Sequence, residues 1–289
     1  MTTRARLLLN PGAGSRSRLR AAQRLARVDG VECRTPRSAE ELRAEVRAAV
    51  AAGHERLLVA GGDGTLHHAI QDLAGSPCAL GIVPLGTGND LARALGLPAD
   101  PTVAVSRALA GERRAIDLGR AGTSVFAGVA GLGIDAEVTR WVNRPGRRLH
   151  GSWVYVYAAL RCLLSYRPPQ LNVDFDDGHH SSRIMLAVVA NSPLFGAGMR
   201  IAPQARLDDG LLDLVIVEPA SPWIILSVVA RVFSGTHIHS RAVFTTQTRH
   251  ARLRPGRELT LIADGEPLMP VGPEGRIVDV WPRALEVIV

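Results

Sequence analysis

The sequence predicts a two-domain α/β + β protein: an N-terminal doubly wound α/β domain followed by a C-terminal antiparallel β-sandwich with inserted helices. Over the first 120 residues, short apolar runs alternate with helical patterns, which is typical of a parallel sheet. From about Val125 the pattern changes, and residues 171–176 alternate apolar and polar side chains as a half-buried antiparallel strand does. We therefore predict domains at 1–120 and 121–289, with the option that the last strand returns to the first domain.

The first domain is predicted to contain five strands, at 5–9, 31–34, 56–60, 79–83 and 115–119. A helix is expected between the second and third strands, because Ser38 and Glu41 form a capping box. Leu42, Val46 and Val50 follow at helical spacing.

The second domain is predicted to contain mainly strands separated by Gly, Pro and Asp turns. The predicted strands lie at 171–176, 183–190, 211–217, 242–248, 258–263 and 277–281, and the predicted helices at 153–165 and 222–234.

Composition excludes several classes of mechanism. The chain contains no lysine, so P-loop, protein-kinase and Schiff-base chemistry are all ruled out. The formal net charge of +7 favours anionic partners. With 4% aromatic residues and no recognisable module, we expect no nucleic-acid binding.

Localisation is predicted from what the chain lacks. The apolar stretch at 211–233 is interrupted by charged residues and prolines, and no segment reaches the length of a spanning helix. Cys33, Cys78 and Cys162 lack metal-type spacing and fit reduced thiols. We expect a cytoplasmic protein that associates peripherally with a membrane.

Three glycine-rich loops each follow an apolar run: Asn10-Pro-Gly-Ala-Gly14, Gly61-Gly-Asp-Gly-Thr-Leu66 and Gly86-Thr-Gly-Asn-Asp90. Such loops let backbone N–H groups approach phosphate oxygens. Asp63 would hold a divalent metal or a ribose hydroxyl. The pattern predicts a nucleotide site at the C-terminal edge of a parallel sheet, although turns of this kind also serve only as connections.

These loops occur in order with three further motifs, at 198–203, 208–213 and 264–266. Together the six motifs resemble the diacylglycerol kinase catalytic-domain family, which includes bacterial diacylglycerol kinases and YegS-like lipid kinases and is related to sphingosine and ceramide kinases. The resemblance implies a fold like that of NAD kinase and diacylglycerol kinase, with ATP bound between the two domains. It also implies ATP and Mg²⁺ as cofactors and a lipid hydroxyl, by default that of diacylglycerol, as the phosphate acceptor.

The resemblance also implies roles for individual residues. Asp264 is the favoured general base and Glu266 the close second; exposed acids in a β-turn are the alternative. Thr65 is expected to begin a helix as an anion-facing cap. The nucleotide-binding residues would be Asn10, Pro11, Gly12, Ala13, Gly14, Thr35, Gly61, Gly62, Asp63, Gly64, Thr65, Leu66, Gly86, Thr87, Asn89 and Asp90.

Metal binding is implied at two places. A structural Mg²⁺ loop would use the Asp209 carboxylate with the carbonyls of Arg206 and Leu211. A plain Asp-Gly turn is the alternative. Asp63 and Asp117 are candidates for a second metal, with a structural ion pair as the alternative for Asp117.

The chain departs from the family pattern at two places. His67 and His68 replace the usual Asn-Glu pair and are expected to lie partly exposed on the first helical turn. Ala197 replaces a glycine, so its backbone must avoid positive φ. Two alternative functions stay open: a NAD-kinase-like enzyme that phosphorylates a soluble nucleotide, and a non-catalytic nucleotide-binding regulator. A homodimer is a further possibility.

Overall fold

Alternating strands and helices build the first of two units, which comprises residues 1–117 and 282–289; the second comprises residues 118–281. The computed structural model describes residues 5–14, 31–134, 166–196 and 198–289. The two boundaries between the units fall inside two strands, β5 (Arg113–Ala121) and β16 (Arg276–Ile288).

The first unit contains a mainly parallel sheet with strand order β2-β1-β3-β4-β16. Val287 of β16 pairs in parallel with Leu80. The core consists of apolar side chains from the strands and the helix Pro101–Ala110, among them the buried Leu7, Leu58 and Val105. The remaining elements are β1 (Ala5–Leu9), β2 (Val31–Arg34), α1 (Ala39–Ala51), β3 (Arg56–Gly61), α2 (Asp63–Leu73), β4 (Ala79–Pro84), α3 (Asp90–Ala94) and α4 (Pro101–Ala110).

The second unit contains an antiparallel six-stranded sheet, β12-β11-β10-β7-β14-β15, and the strands β16-β13-β8-β9 of another sheet. One cluster of buried side chains draws on both sheets, including Leu171, Leu214 and Leu253. The elements are β6 (Ser124–Phe126), β7 (Val129–Gly133), β8 (Gln170–Phe175), β9 (Gly178–Arg183), β10 (Leu186–Ala190), β11 (Leu212–Val217), α5 (Pro222–Arg231), a 3₁₀ helix (Thr236–His239), β12 (Val243–Thr248), β13 (His250–Pro255), β14 (Leu259–Ala263) and β15 (Glu266–Val271).

The predicted fold class is confirmed, but one predicted strand is divided and one predicted helix ends early. The single strand expected at 183–190 is wrong, because Ile184 and Met185 separate β9 from β10 and the two strands belong to different sheets. The helix expected at 222–234 ends at Arg231 and continues as a turn. The helix expected at 153–165 lies outside the described residues. Within the described ranges, no helix combines the length and apolarity needed to cross a bilayer.

Candidate functional site

Three loops of the first unit meet at the C-terminal ends of adjacent parallel strands. Because β1, β3 and β4 are neighbours in the sheet, their following loops emerge at the same edge. The Asn10 side chain fixes the first loop: Nδ2 donates to Oγ1 of Thr65 at 2.9 Å, and Oδ1 accepts from the Gly12 amide at 2.9 Å. The loop after β1 is thereby joined to the first turn of α2.

Glycines let the second and third loops approach each other closely. A Cβ atom on Gly86 would lie 2.7 Å from Cα of Gly62, which no real side chain tolerates. A Cβ atom on Gly14 would collide with the carbonyl oxygen of Leu85. The residues predicted at 10–14, 61–66 and 86–90 are therefore brought together in one unit.

The N-terminus of α2 lies among these loops. The helix begins at Asp63, and its N-cap, Gly62, has extended backbone and offers no capping side chain. The first N–H groups of a helix lack intrahelical partners and favour an anion. The expectation that Thr65 begins the helix is wrong: Thr65 lies within the first turn, where it is buried and bonded to Asn10. His67 is also buried, on the inner face of α2, contrary to the expected partial exposure.

Two carboxylates and an asparagine complete this group. The Asp90 amide donates to Oδ1 of Asp63 at 2.8 Å, so the second and third loops are tied together through an acid. Asn89 adopts left-handed backbone (φ 52°), and its Nδ2 donates to the Gly86 carbonyl at 2.8 Å. The buried Oδ1 of Asn89 accepts no hydrogen bond from the described residues. A buried acceptor of this kind suits a hydroxyl or amino donor on a ligand.

Other predicted residues of this unit occupy different environments. Thr35 is exposed directly after β2, and Thr87 is exposed in the third loop. Asp117 is buried in β5, where its Oδ1 accepts from the Arg283 amide at 2.7 Å. This contact supports a structural role for Asp117.

The second unit holds Asp264 in the tight turn between β14 and β15. Asp264 and Gly265 both have positive φ, 51° and 87°, as a two-residue hairpin turn requires. The Asp264 carboxylate accepts hydrogen bonds from the amides of Ala127 (3.1 Å), Gly128 (2.9 Å) and Val129 (3.2 Å). Such an array of donors holds the carboxylate in one orientation.

Residues that the sequence analysis missed support this array. A Cβ atom on Gly128 would lie 2.6 Å from Oδ1 of Asp264, so any larger residue there would displace this oxygen. The side chain of the buried Asn191 donates from Nδ2 to the Ala127 carbonyl at 3.0 Å. The backbone N–H of Asn191 donates to the Gly128 carbonyl at 2.9 Å. The available signal was a polar residue directly after the apolar run of β10.

Glu266 stands at the start of β15, opposite Ala263, and is partly exposed. Among the described residues, no hydrogen bond or ion pair engages the Glu266 carboxylate. The two predicted acids therefore differ, because the Asp264 carboxylate accepts three backbone hydrogen bonds.

The loop predicted to hold a structural metal forms a turn before β11. Oδ1 of the exposed Asp209 accepts from the Leu211 amide at 3.1 Å, and Gly210 has positive φ. Burial raises the pKa of the nearby Asp213 to about 6, aided by the charge of Asp209 and opposed by a hydrogen bond from Gln247. Within the described ranges, no three His, Cys, Asp or Glu side chains form a metal cluster. Binding by Asp209 and the carbonyls of Arg206 and Leu211 stays a prediction.

Comparison with known proteins gives two family matches that together span most of the chain. Residues 4–121 match the diacylglycerol kinase catalytic domain. Residues 128–289 match the YegS C-terminal domain, which is described as NAD kinase beta sandwich-like.

Relatives and solved structures match over nearly the whole chain. A protein named diacylglycerol kinase from Mycobacterium tuberculosis is 34% identical, over 97% of this chain and 93% of its own. A Pseudomonas fluorescens protein named "probable lipid kinase YegS-like" is 30% identical, over 92% and 89%. The crystal structure of a diacylglycerol kinase from Bacillus anthracis superposes with a TM-score of 0.74 at 16% identity, covering 99% and 96%. A second Bacillus anthracis structure gives 0.84 at 19% identity, covering 99% and 96%.

Proposed function

The chain belongs to the diacylglycerol kinase and YegS-like lipid kinase family, and from this premise we propose that it transfers the γ-phosphate of ATP to the hydroxyl of diacylglycerol. The observation that carries the proposal is the meeting of three glycine-rich loops around the uncapped N-terminus of α2. Backbone N–H groups there bind the phosphates of ATP, because glycines leave them accessible and the helix end favours negative charge. Oδ1 of Asn89 accepts from a donor on the nucleoside.

Mg²⁺ fits the donor set of the first unit. Asp63 and Asp90 offer carboxylate oxygens on loops joined by the Asp90 amide, and Mg²⁺ prefers such oxygens together with phosphate and water. When bound, the ion would neutralise charge on the phosphates. Asp63 is the residue proposed to hold it, with Asp90 beside it.

Glu266 is the proposed general base, and Asp264 the residue that positions its turn. The carboxylate of Glu266 accepts the proton of the lipid hydroxyl while that oxygen attacks the γ-phosphorus. The bond to the bridging oxygen of the β-phosphate breaks, and ADP leaves. Asp264 serves poorly as a base because the amides of residues 127–129 already occupy its oxygens.

Transfer of label from γ-³²P-ATP with Mg²⁺ into lipids in mixed micelles tests the reaction. Label in diacylglycerol is the expected result, and label in another lipid alcohol alone would change the acceptor. NAD serves as the soluble control. Label in NAD alone would assign the chain to nucleotide phosphorylation, and bound ATP without any transfer would favour a regulator.

Two isosteric variants separate the roles of the acids. Glu266→Gln is expected to lower kcat at least about 100-fold, the usual scale of general-base catalysis, with an unchanged midpoint of thermal unfolding. Asp264→Asn is expected to lower kcat and the unfolding midpoint together, because an amide nitrogen would face backbone donors. A fully active Glu266→Gln enzyme would show that Glu266 is not the base.

A further inference from the structure

Helix α5 carries apolar side chains on two faces. Ile225 and Val228 are buried in one cluster and Val232, directly after the helix, in another. Trp223, Leu226 and, just beyond the helix end, Phe233 are exposed by 80%, 45% and 42%. Trp223 and Leu226 are three residues apart and lie on the same side of the helix, and Phe233 follows in the turn after it. We call these three exposed side chains the α5 face.

The α5 face concentrates exposed apolar surface in one short segment. Within the described residues, five large apolar side chains are exposed, and three of them lie between positions 223 and 233. The other two, Val103 and Ile277, stand alone. A clustered patch indicates a binding surface, whereas isolated apolar residues are ordinary.

The segment that carries the α5 face is basic. Residues 219–248 contain no Asp or Glu but two arginines, Arg231 and Arg241. Arg231 ends the helix and donates from Nε to Thr236 at 3.2 Å. Arg241 is exposed two residues after the 3₁₀ helix that packs on α5. The acid that immediately precedes this stretch, Glu218, is bonded to His180 at 2.9 Å. An anionic surface complements this charge.

The same helix is connected to the proposed acceptor site within the second unit. Val232 packs in the same cluster as Val129. The Val129 amide donates to the Asp264 carboxylate at 3.2 Å, and its carbonyl accepts from the Asp264 amide at 3.0 Å. A surface bound by α5 is thus linked through packed side chains to the turn that carries Glu266.

We propose that the α5 face, with Arg231 and Arg241, docks the protein on the surface of an anionic bilayer. Trp, Leu and Phe on one face with flanking cations is the composition of helices that lie in the membrane interface, where Trp is enriched. The choice of a bilayer over a second protein copy rests on the proposed function, because the substrate resides in a membrane. The ten-residue helix lies on the bilayer rather than across it.

Flotation with vesicles that contain no substrate tests docking independently of catalysis. Wild-type protein is expected to float with phosphatidylcholine–phosphatidylglycerol vesicles. The double variant Trp223→Ser, Leu226→Ser is expected to bind at least about tenfold more weakly, given the apolar area lost. The matched variant Val103→Ser, Ile277→Ser removes exposed apolar side chains elsewhere and is expected to bind as wild type.

Two variants that each remove one arginine test the electrostatic contribution to vesicle binding. Arg241→Gln is expected to weaken binding to the anionic vesicles more than Arg257→Gln, which also removes an exposed arginine. Wild-type flotation by the Trp223→Ser, Leu226→Ser variant would overturn the proposal. A wild-type dimer in sedimentation that this variant converts to monomer, with no vesicle binding by either protein, would also overturn it and assign the face to a second copy.

Activity assays separate this proposal from the proposed function. The Trp223→Ser, Leu226→Ser variant is expected to phosphorylate detergent-dispersed short-chain diacylglycerol at the wild-type rate and to lose activity toward long-chain substrate in vesicles. Vesicle binding through α5 without any phosphoryl transfer would leave docking intact and overturn the kinase proposal. An equal loss of activity toward both substrates would overturn docking as the role of this face.

Discussion

Gly128 is the residue whose size most directly controls the proposed acceptor site. Its amide bonds Asp264, and an added methyl group would lie 2.6 Å from the same carboxylate oxygen. Gly128→Ala is therefore expected to push Asp264 out of its array and to destabilise the protein by about 1–3 kcal/mol, as overpacking does. Chemical denaturation and kcat measure the two effects, which are expected together with unchanged ATP binding.

Gly256→Ala provides the matched control for Gly128. A methyl group there meets its nearest atom, Cβ of Gln170, at 3.4 Å, which is an ordinary contact. The control is expected to retain stability and activity. Equal behaviour of the two variants would show that the Gly128–Asp264 contact does not matter.

Substitution of Asn89 tests the proposed contact with the nucleoside of ATP. Asn89→Gly accommodates the left-handed backbone without strain but removes the side chain whose Oδ1 is proposed to meet the nucleoside. We expect KM for ATP to rise by roughly tenfold, the scale of a hydrogen bond to a ligand. KM for the lipid is expected to stay unchanged. Parallel titrations of ATP and lipid measure both, and a rise confined to lipid would contradict the assignment.

At individual residues, the sequence analysis proposed Asp264 and Glu266 but did not predict their environments. Asp264 and Glu266 were predicted together from one tight turn, with Asp264 favoured as the base. The amides that bond the Asp264 carboxylate belong to residues 127–129, more than a hundred positions away along the chain. No local pattern reveals such a contact. For the same reason, Thr65 was assigned to a cap, whereas its partner, Asn10, lies on another loop.

At the element scale, α1 depends on a capping interaction that was visible in the sequence. Oγ of Ser38 accepts from the Glu41 amide at 3.1 Å, and the Glu41 carboxylate accepts from the Arg37 amide at 2.7 Å. Ser38→Ala is expected to lower the free energy of unfolding by about 1 kcal/mol. Urea denaturation measures it, with Ser106→Ala in the exposed middle of α4 as the control. A loss no larger than in the control would show that the cap is dispensable.

Elements with strong local signals were the ones predicted well. The strands β1, β3 and β4 are mostly continuous apolar runs bounded by turn residues; β1 and β2 match their predicted bounds, and β3 and β4 extend one residue further. The strands β6, β7, β13 and β15 were missed, and β9 shares only Arg183 with a predicted strand. Glycines interrupt β7 and arginines interrupt β13, and their strand character depends on pairing within sheets.

For the whole molecule, the change in hydrophobic periodicity near Val125 predicted two domains. The strand β16 was predicted only in part: residues 277–281 were expected to form a short strand, whereas the observed strand runs to Ile288. Its C-terminal end pairs with β4 of the first unit. Pairing over such a separation in sequence depends on tertiary contacts rather than on local propensity.

The pH dependence of stability is expected to include a contribution from His237. This side chain is fully buried, Nε2 contacts the Ile201 carbonyl at 3.1 Å, and burial lowers the pKa of the imidazole below its usual value of 6.5. As the pH falls below that value, the unfolded chain takes up a proton that the folded chain resists. The stabilisation is therefore complete above the unfolded pKa and is lost as the pH falls through the folded one.

His237→Gln keeps a donor for the Ile201 carbonyl and removes the titration. Between about pH 7.5 and pH 5.5, its free energy of unfolding is expected to fall less steeply than that of the wild type. His239→Gln, which changes an exposed imidazole two residues away, is expected to retain the wild-type slope. Urea midpoints at both pH values measure the slopes. If His237→Gln kept the wild-type slope, the acid sensitivity would arise from groups other than His237.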